Sequence, residues 1–231
     1  MEVNANATKA LAYAATRLGV RRFVYLSTIK VNGSSTTNRP YRPDDEIRPD
    51  GVYGYSKWLG ERYLIEASAG TGMEPVIVRP PLVYGPGVKA NFLALLKWVD
   101  GGRPLPFGAV RNRRSLVSIW NLTDLVTTIL RHPGAAAGTW MVSDGEDLST
   151  PALIELIATA MRRRARLLPI PTGVLRALGS LAGFGGAVER LCGSLAVDMS
   201  GTCNAFGWSP PVSVEEGISR TVSAYLLGKG S

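Results

Sequence analysis

The chain has 231 residues, 26 basic and 18 acidic side chains, a net charge of +8 and 45% hydrophobic content. That suits one large folded domain or two small ones, and 26 glycines and 15 prolines scattered without a repeat exclude a collagen-like or low-complexity chain. Two cysteines, Cys192 and Cys203, with one histidine, His132, are too few for a His/Cys metal cage or a disulfide framework, so no metal is expected.

The first residues, Met1-Glu2-Val3-Asn4, lack a basic patch followed by an apolar stretch, so no secretion signal is read. Val3, Ala7, Leu11, Ala14 and Leu18 recur at helical spacing and predict a helix over 3–18, stopped by Gly19. Residues 22–27 form a short β-rich run, 32–50 a loop rich in Ser, Thr, Asn and Pro, and 53–69 a second helix. The stretch 74–83 contains Val76-Ile77-Val78, a buried-strand signature, and is followed by the turn Tyr84-Gly85-Pro86-Gly87 and an apolar helix over 91–99. Strands at 116–120 and 139–142 then alternate with helices at 122–130 and 151–161, the last with Thr150 as cap and Pro151 at its first position.

Strand alternating with helix implies an α/β fold built on a parallel sheet covered on both faces. The positive charge comes mainly from 20 arginines, densest at Arg162-Arg163-Arg164-Ala165-Arg166. Cations there suit the negative end of the preceding helix, and nucleic acid is the alternative reading. The apolar charge-free run 177–188 is far shorter than the roughly 20 apolar residues of a membrane span and holds four glycines. The expectation is a cytoplasmic protein with neither a nucleic-acid nor a membrane partner.

Tyr53 and Lys57 stand four apart at the start of the second helix, so both side chains emerge on one face about one turn apart. A phenol beside an ammonium is a proton-transfer device. Bringing a phenol from its usual pKa to near 7 takes about 4 kcal/mol of differential stabilisation, which a lysine and a further cation would share.

The order of motifs adds to this pair. Phe23-Val24-Tyr25-Leu26-Ser27-Thr28-Ile29-Lys30-Val31-Asn32-Gly33 is followed by Tyr53-x-x-x-Lys57 and by Arg79-Pro80-Pro81-Leu82-Val83-Tyr84-Gly85-Pro86-Gly87. Phe206-Gly207-Trp208-Ser209-Pro210-Pro211 and Glu215-Glu216-Gly217 close the series. Taken together these resemble the extended short-chain dehydrogenase/reductases, specifically nucleotide-sugar epimerases and dehydratases of the UDP-glucose 4-epimerase kind. The resemblance implies a Rossmann-like parallel sheet, N-terminally incomplete here, with a smaller C-terminal substrate-binding lobe. It places the remaining half of the nucleotide-binding domain at 1–88 with 115–132, and the substrate lobe at 89–114 with 133–231.

It further implies NAD as cofactor, with NADP as the alternative, and a nucleotide-sugar substrate. Thr28 would hydrogen-bond the sugar oxygen that changes oxidation state, Tyr53 would exchange its proton, and Lys57 would hold the nicotinamide ribose and lower the tyrosine pKa. The main chain at Pro80 would border the nicotinamide, and Asn91 and Arg114 would contact the nucleotide diphosphate. A homodimer through the helices at 3–18 and 53–69 follows from the same resemblance.

Two departures matter. Leu82 and Asn121 stand where many relatives carry Asn and Asp. Ile29-Lys30 replaces the Asp-Glu pair that 4,6-dehydratases use to eliminate water, so dehydration is disfavoured. The expected activity is NAD-dependent epimerisation at C4 of a UDP-hexose. A reductase of a 4-keto nucleotide sugar and a non-catalytic binding or dimerisation remnant are the alternatives. No strand, glycine-rich turn and helix precede Val3, so the chain is expected to be a fragment of such an enzyme, unable to bind NAD on its own.

Overall fold

A computed structural model describes residues 2–183 and 185–229, with the side chains of Glu2 and Val3 outside that description. A wide π-helical start, Glu2–Ala7, runs into α1 (Thr8–Arg17), then β1 (Arg22–Leu26), α2 (Gly51–Ser68), β2 (Glu74–Arg79) and β3 (Leu82–Tyr84). There follow α3 (Ala90–Asp100), β4 (Leu116–Ser118), α4 (Ile119–Arg131), β5 (Gly138–Met141) and α5 (Thr150–Ala160). The chain closes with α6 (Thr172–Leu181), α7 (Gly185–Cys192), α8 (Ser200–Phe206) and α9 (Val214–Leu227).

These elements fall into two compact units. One comprises Met1–Pro81, Asn121–Ser143 and Val197–Pro211; the other comprises Leu82–Trp120, Asp144–Ala196 and Val212–Ser231. Their limits differ from the lobes expected from the sequence, for reasons that lie in strand pairing. β5 pairs with β2, which draws 133–143 into the first unit, whereas β3 and β4 pair with each other in the second.

The first unit is built on three parallel strands in the order β1-β2-β5. β2 stops at Arg79 because Pro80 and Pro81 have no N–H to give a neighbouring strand. The single apolar run read at 74–83 therefore becomes two strands in two separate sheets. On one face Tyr25 and Ile77 are buried with Ala12 of α1 and Leu64 and Ala67 of α2. At β5, Trp140 meets Phe206 of α8 edge to face at 4.8 Å between ring centroids. Trp208, in the motif that follows α8, donates to Asp124 at 2.7 Å and so ties the returning chain to α4.

The second unit buries Leu96, Leu116, Ile154, Ile157, Ile218 and Val222 in one core. Tyr84 sits at its centre, stacked on Phe92 at 5.5 Å and donating to Asp144 at 2.6 Å. Burial beside that carboxylate raises the phenol far above its usual range. The cap of α5 is Ser149, whose hydroxyl accepts the Ala152 N–H at 3.2 Å, and not Thr150 as the sequence suggested. The Thr150 hydroxyl is already committed, donating to the Leu191 carbonyl at 2.5 Å and accepting from Asn112 at 3.1 Å.

Gly60 is where α2 comes closest to its neighbours. A Cβ there would run into the Asn4 carbonyl and the Tyr25 hydroxyl, which are themselves bonded at 2.9 Å. Burial lifts the Tyr25 pKa to about 12. Because one obstacle is main chain, Gly60→Ala is expected to lower stability by roughly 1–3 kcal/mol in urea denaturation. An unchanged midpoint would mean that α2 is not seated this closely.

Candidate functional site

The carboxyl ends of parallel strands are where α/β sheets present main-chain groups and side chains to ligands. In the first unit the ladder between β1 and β2 continues past the strands themselves. Ser27 N–H donates to the Val78 carbonyl at 2.8 Å and Ile29 N–H to the Pro80 carbonyl at 2.9 Å. The chain then enters a short 3-10 turn, Ile29–Val31, opened by Thr28, whose hydroxyl accepts the Lys30 N–H at 3.4 Å.

The N-terminus of α2 lies directly on this turn. Asp50 N–H donates to the Lys30 carbonyl at 2.8 Å, and the Lys30 ammonium pairs with the Asp50 carboxylate at 2.9 Å. Gly54 permits the approach, since a Cβ there would stand 2.7 Å from the Lys30 carbonyl oxygen. Ile29 is buried in the turn and Lys30 is held by Asp50, so neither is presented as an acid or base.

Tyr53 occupies the first turn of α2 and is 50% exposed. Its hydroxyl makes no hydrogen bond among the described residues, and burial of the rest of the group pushes the phenol pKa up. One turn on, Lys57 donates to the Leu26 carbonyl at 2.9 Å and lies 4.9 Å from the centre of the Tyr25 ring. Burial lowers the Lys57 pKa, opposed by the charge of Glu61. In this arrangement desolvation dominates the phenol and the ammonium is turned to the main chain. Leu26 lies on the open side of β1. Ser27 faces β2, so in a parallel ladder the alternate residue Leu26 directs its carbonyl to the unpaired edge.

The structure thus gathers Thr28, Tyr53, Lys57 and Pro80 at one end of the first unit. Asn91 and Arg114 lie in the second unit. Asn91 is exposed near the start of α3. Arg114 is a held side chain: it donates to the Gly193 carbonyl at 3.0 Å, its main chain exchanges bonds with Leu148 at 2.9 and 3.0 Å, and burial lowers its pKa.

Sequence reasoning missed the group beneath the Tyr–Lys pair. Glu61 of α2 and Arg79 at the end of β2 form an ion pair of 2.6 Å with side-chain exposures of 3% and 5%. The guanidinium is bidentate, giving Nε to one carboxylate oxygen at 2.9 Å and Nη2 to the other at 2.6 Å. Its Nη1 donates to the Asn32 side chain at 3.1 Å and to the Pro43 carbonyl at 3.2 Å. Ser27 donates a short hydrogen bond to Glu61. The only signal in the sequence was spacing: Glu61 follows Lys57 by four residues on the same helix, and Arg79 precedes the proline pair.

Residues 1–142 match the model of the NAD dependent epimerase/dehydratase family. The chain is 44% identical over 227 residues to a UDP-glucose 4-epimerase of Vibrio cholerae, covering 97% of this chain and 69% of that one. Among solved structures it is similar to a UDP-glucuronic acid 4-epimerase from Bacillus cereus in complex with NAD, with a TM-score of 0.78 at 20% identity over 99% of this chain and 68% of that one. The Bordetella bronchiseptica enzyme WbmG in complex with NAD gives a TM-score of 0.75 at 21% identity over 97% and 65%. The chain therefore spans about two thirds of the length of these proteins.

Breaking the buried pair from one side leaves a charge without a partner, which costs about 3–5 kcal/mol in buried pairs of this kind. Arg79→Met is expected to lose that much in chemical denaturation, and Glu61→Leu with Arg79→Met to recover most of it; a loss below about 1 kcal/mol in the single variant would contradict the pair's burial. Ultraviolet titration tests the phenol. Burial disfavours the phenolate, so Tyr53→Phe is expected to remove an ionisation that lies above the ordinary tyrosine pKa of about 10.

Proposed function

The chain belongs to the NAD dependent epimerase/dehydratase family, and on that footing we propose that it carries the proton-transfer residues of an NAD-dependent epimerisation at C4 of a UDP-hexose. The observation behind this reading is Tyr53, an unbonded phenol one helical turn from an ammonium, on a helix seated against the turn that Thr28 opens. The identity of the Vibrio cholerae relative favours epimerisation, and the buried Ile29 and paired Lys30 disfavour dehydration.

The residues present suit the nicotinamide end of a dinucleotide. A hydroxyl without a hydrogen bond among the described residues and an ammonium bonded to a main-chain carbonyl are the donors a ribose needs, and Lys57 and Tyr53 would hold it with the Pro80 main chain bordering the ring. When bound, NAD supplies a hydride acceptor and donor. Thr28 hydrogen-bonds the reacting sugar oxygen, while Tyr53 takes its proton and later returns it. The phenol starts above its usual pKa, so it needs positive charge brought close; in this reading Lys57 leaves the Leu26 carbonyl to provide part of that charge.

Asn91 and Arg114 are proposed as contacts to the substrate diphosphate. No residue of this chain is proposed for the phosphates of the dinucleotide, since no glycine-rich strand-to-helix turn stands ahead of α1 in these 231 residues. A homodimer forms through α1 and α2, whose Leu11 and Ile65 are exposed.

The test joins this chain to the part of the Vibrio cholerae relative that the match leaves out. The product is expected to convert UDP-galactose to UDP-glucose with NAD in catalytic amount, and Tyr53→Phe to lower kcat by roughly 10²–10⁴-fold. Dependence on stoichiometric NADPH and a 4-keto sugar would reassign the chain as a reductase. Activity unaffected by Tyr53→Phe would contradict the assignment of the proton-transfer residue.

A further inference from the structure

The sequence leads to the expectation of no membrane partner, and among the described residues no helix is long and apolar enough to cross a membrane. An element that lies in the plane of a bilayer surface has different requirements: an exposed apolar face, flanking cations and few acids. The second unit meets them in one continuous stretch.

α6 is apolar on two sides. Leu175 and Gly179 are buried, Gly179 so close to α7 that an added Cβ would stand 2.5 Å from Val188. Flanking that buried side are Val174, Leu178 and Leu181, spaced i, i+4 and i+7 and therefore in one narrow stripe. Their exposures are 47%, 58% and 87%, the last among the highest of any large apolar residue in the chain. The one charge on α6, Arg176, is turned to Glu189 of α7 at 3.0 Å and does not interrupt the stripe.

Charge tells which surface would cover it. From Leu156 to Val188 the chain carries five arginines and no carboxylate. Arg163 is spoken for, paired with the buried Asp100 at 2.9 Å, and Arg176 is paired as above. Arg162, Arg164 and Arg166 are exposed, and no ion pair engages them among the described residues. Leu168, exposed as well, follows two residues after Arg166. Only five residues separate Arg166 from Thr172, so at most about 20 Å of chain lies between the cations and the stripe.

We propose that α6 and the arginines ahead of it dock this protein on the surface of an anionic lipid bilayer, with Val174, Leu178 and Leu181 inserted at the headgroup boundary and the guanidinium groups on lipid phosphates. The apolar stripe distinguishes this from a nucleic-acid surface, where stacked aromatics and phosphate contacts would be wanted in place of bare leucines. It is independent of the catalytic reading, which rests on the first unit.

Sedimentation of the full chain with vesicles of phosphatidylcholine, with and without phosphatidylglycerol, tests it. Binding is expected only to the vesicles that contain phosphatidylglycerol, and to weaken as salt is raised. Leu178→Asp with Leu181→Asp is expected to abolish it, and Arg164→Ala and Arg166→Ala to weaken it roughly fivefold each. All four side chains are exposed, so thermal melting by circular dichroism should be unchanged. No binding to phosphatidylglycerol vesicles, or binding that survives the double leucine substitution, would overturn the proposal. So would self-association of the parent chain that the leucine substitutions abolish, or tighter binding to single-stranded DNA than to the vesicles.

Discussion

The first unit is organised around a carboxylate and a guanidinium that have both been taken out of water. Desolvating two such ions costs several kcal/mol each, and the attraction between them offsets it only when the remaining donors and acceptors are also satisfied. Arg79 and Glu61 meet that condition through Ser27, Asn32 and the Pro43 carbonyl. Each of these comes from a different stretch of chain, so the pair fixes β1, β2, α2 and the loop between them at a single point.

What stands on that point is the candidate site. Ser27 is the residue before Thr28, Arg79 the residue before Pro80, and Glu61 one turn after Lys57. Thr28, Pro80 and Lys57 are thus each adjacent, along strand or helix, to a member of the buried network, and Tyr53 stands one further turn along α2 from Lys57. The Lys57 ammonium rests on the carbonyl of an edge strand, and edge strands leave main-chain groups available to whatever pairs with them. Other motifs that looked functional serve as scaffold. Tyr84 of the Tyr-Gly-Pro-Gly turn is a core residue bonded to Asp144, and Trp208 of the terminal motif anchors on Asp124. Glu216 supplies the N–H that the Ser213 cap of α9 accepts.

Local pattern made much of this readable beforehand. Apolar spacing and β-rich runs located α1, α3, β1 and β2 to within a few residues, because burial leaves a trace in local sequence pattern. The Tyr53–Lys57 spacing was readable for the same reason. What escaped were contacts between residues far apart in the chain. Glu61 reads as an ordinary solvated acid on a helix, and nothing local reveals that Arg79 reaches it across the sheet. Thr150 has every local qualification for a cap, and loses the role to Ser149 because Asn112 and Leu191 engage its hydroxyl. The compact units divide the chain differently from the lobes expected, because sheet membership depends on pairing partners and Pro80-Pro81 separates β2 and β3 into different sheets, which local pattern does not reveal.

Amide hydrogen exchange measures directly whether the buried pair holds the site together. Arg79→Met is predicted to release protection at Ser27, Ile29, Val31 and Asn32 and in the first turns of α2, while amides of the second unit such as Ser118 and Asp144 keep theirs. Unchanged protection around the Thr28 turn, or a uniform loss across both units, would contradict the claim that Arg79 and Glu61 organise that end of the sheet.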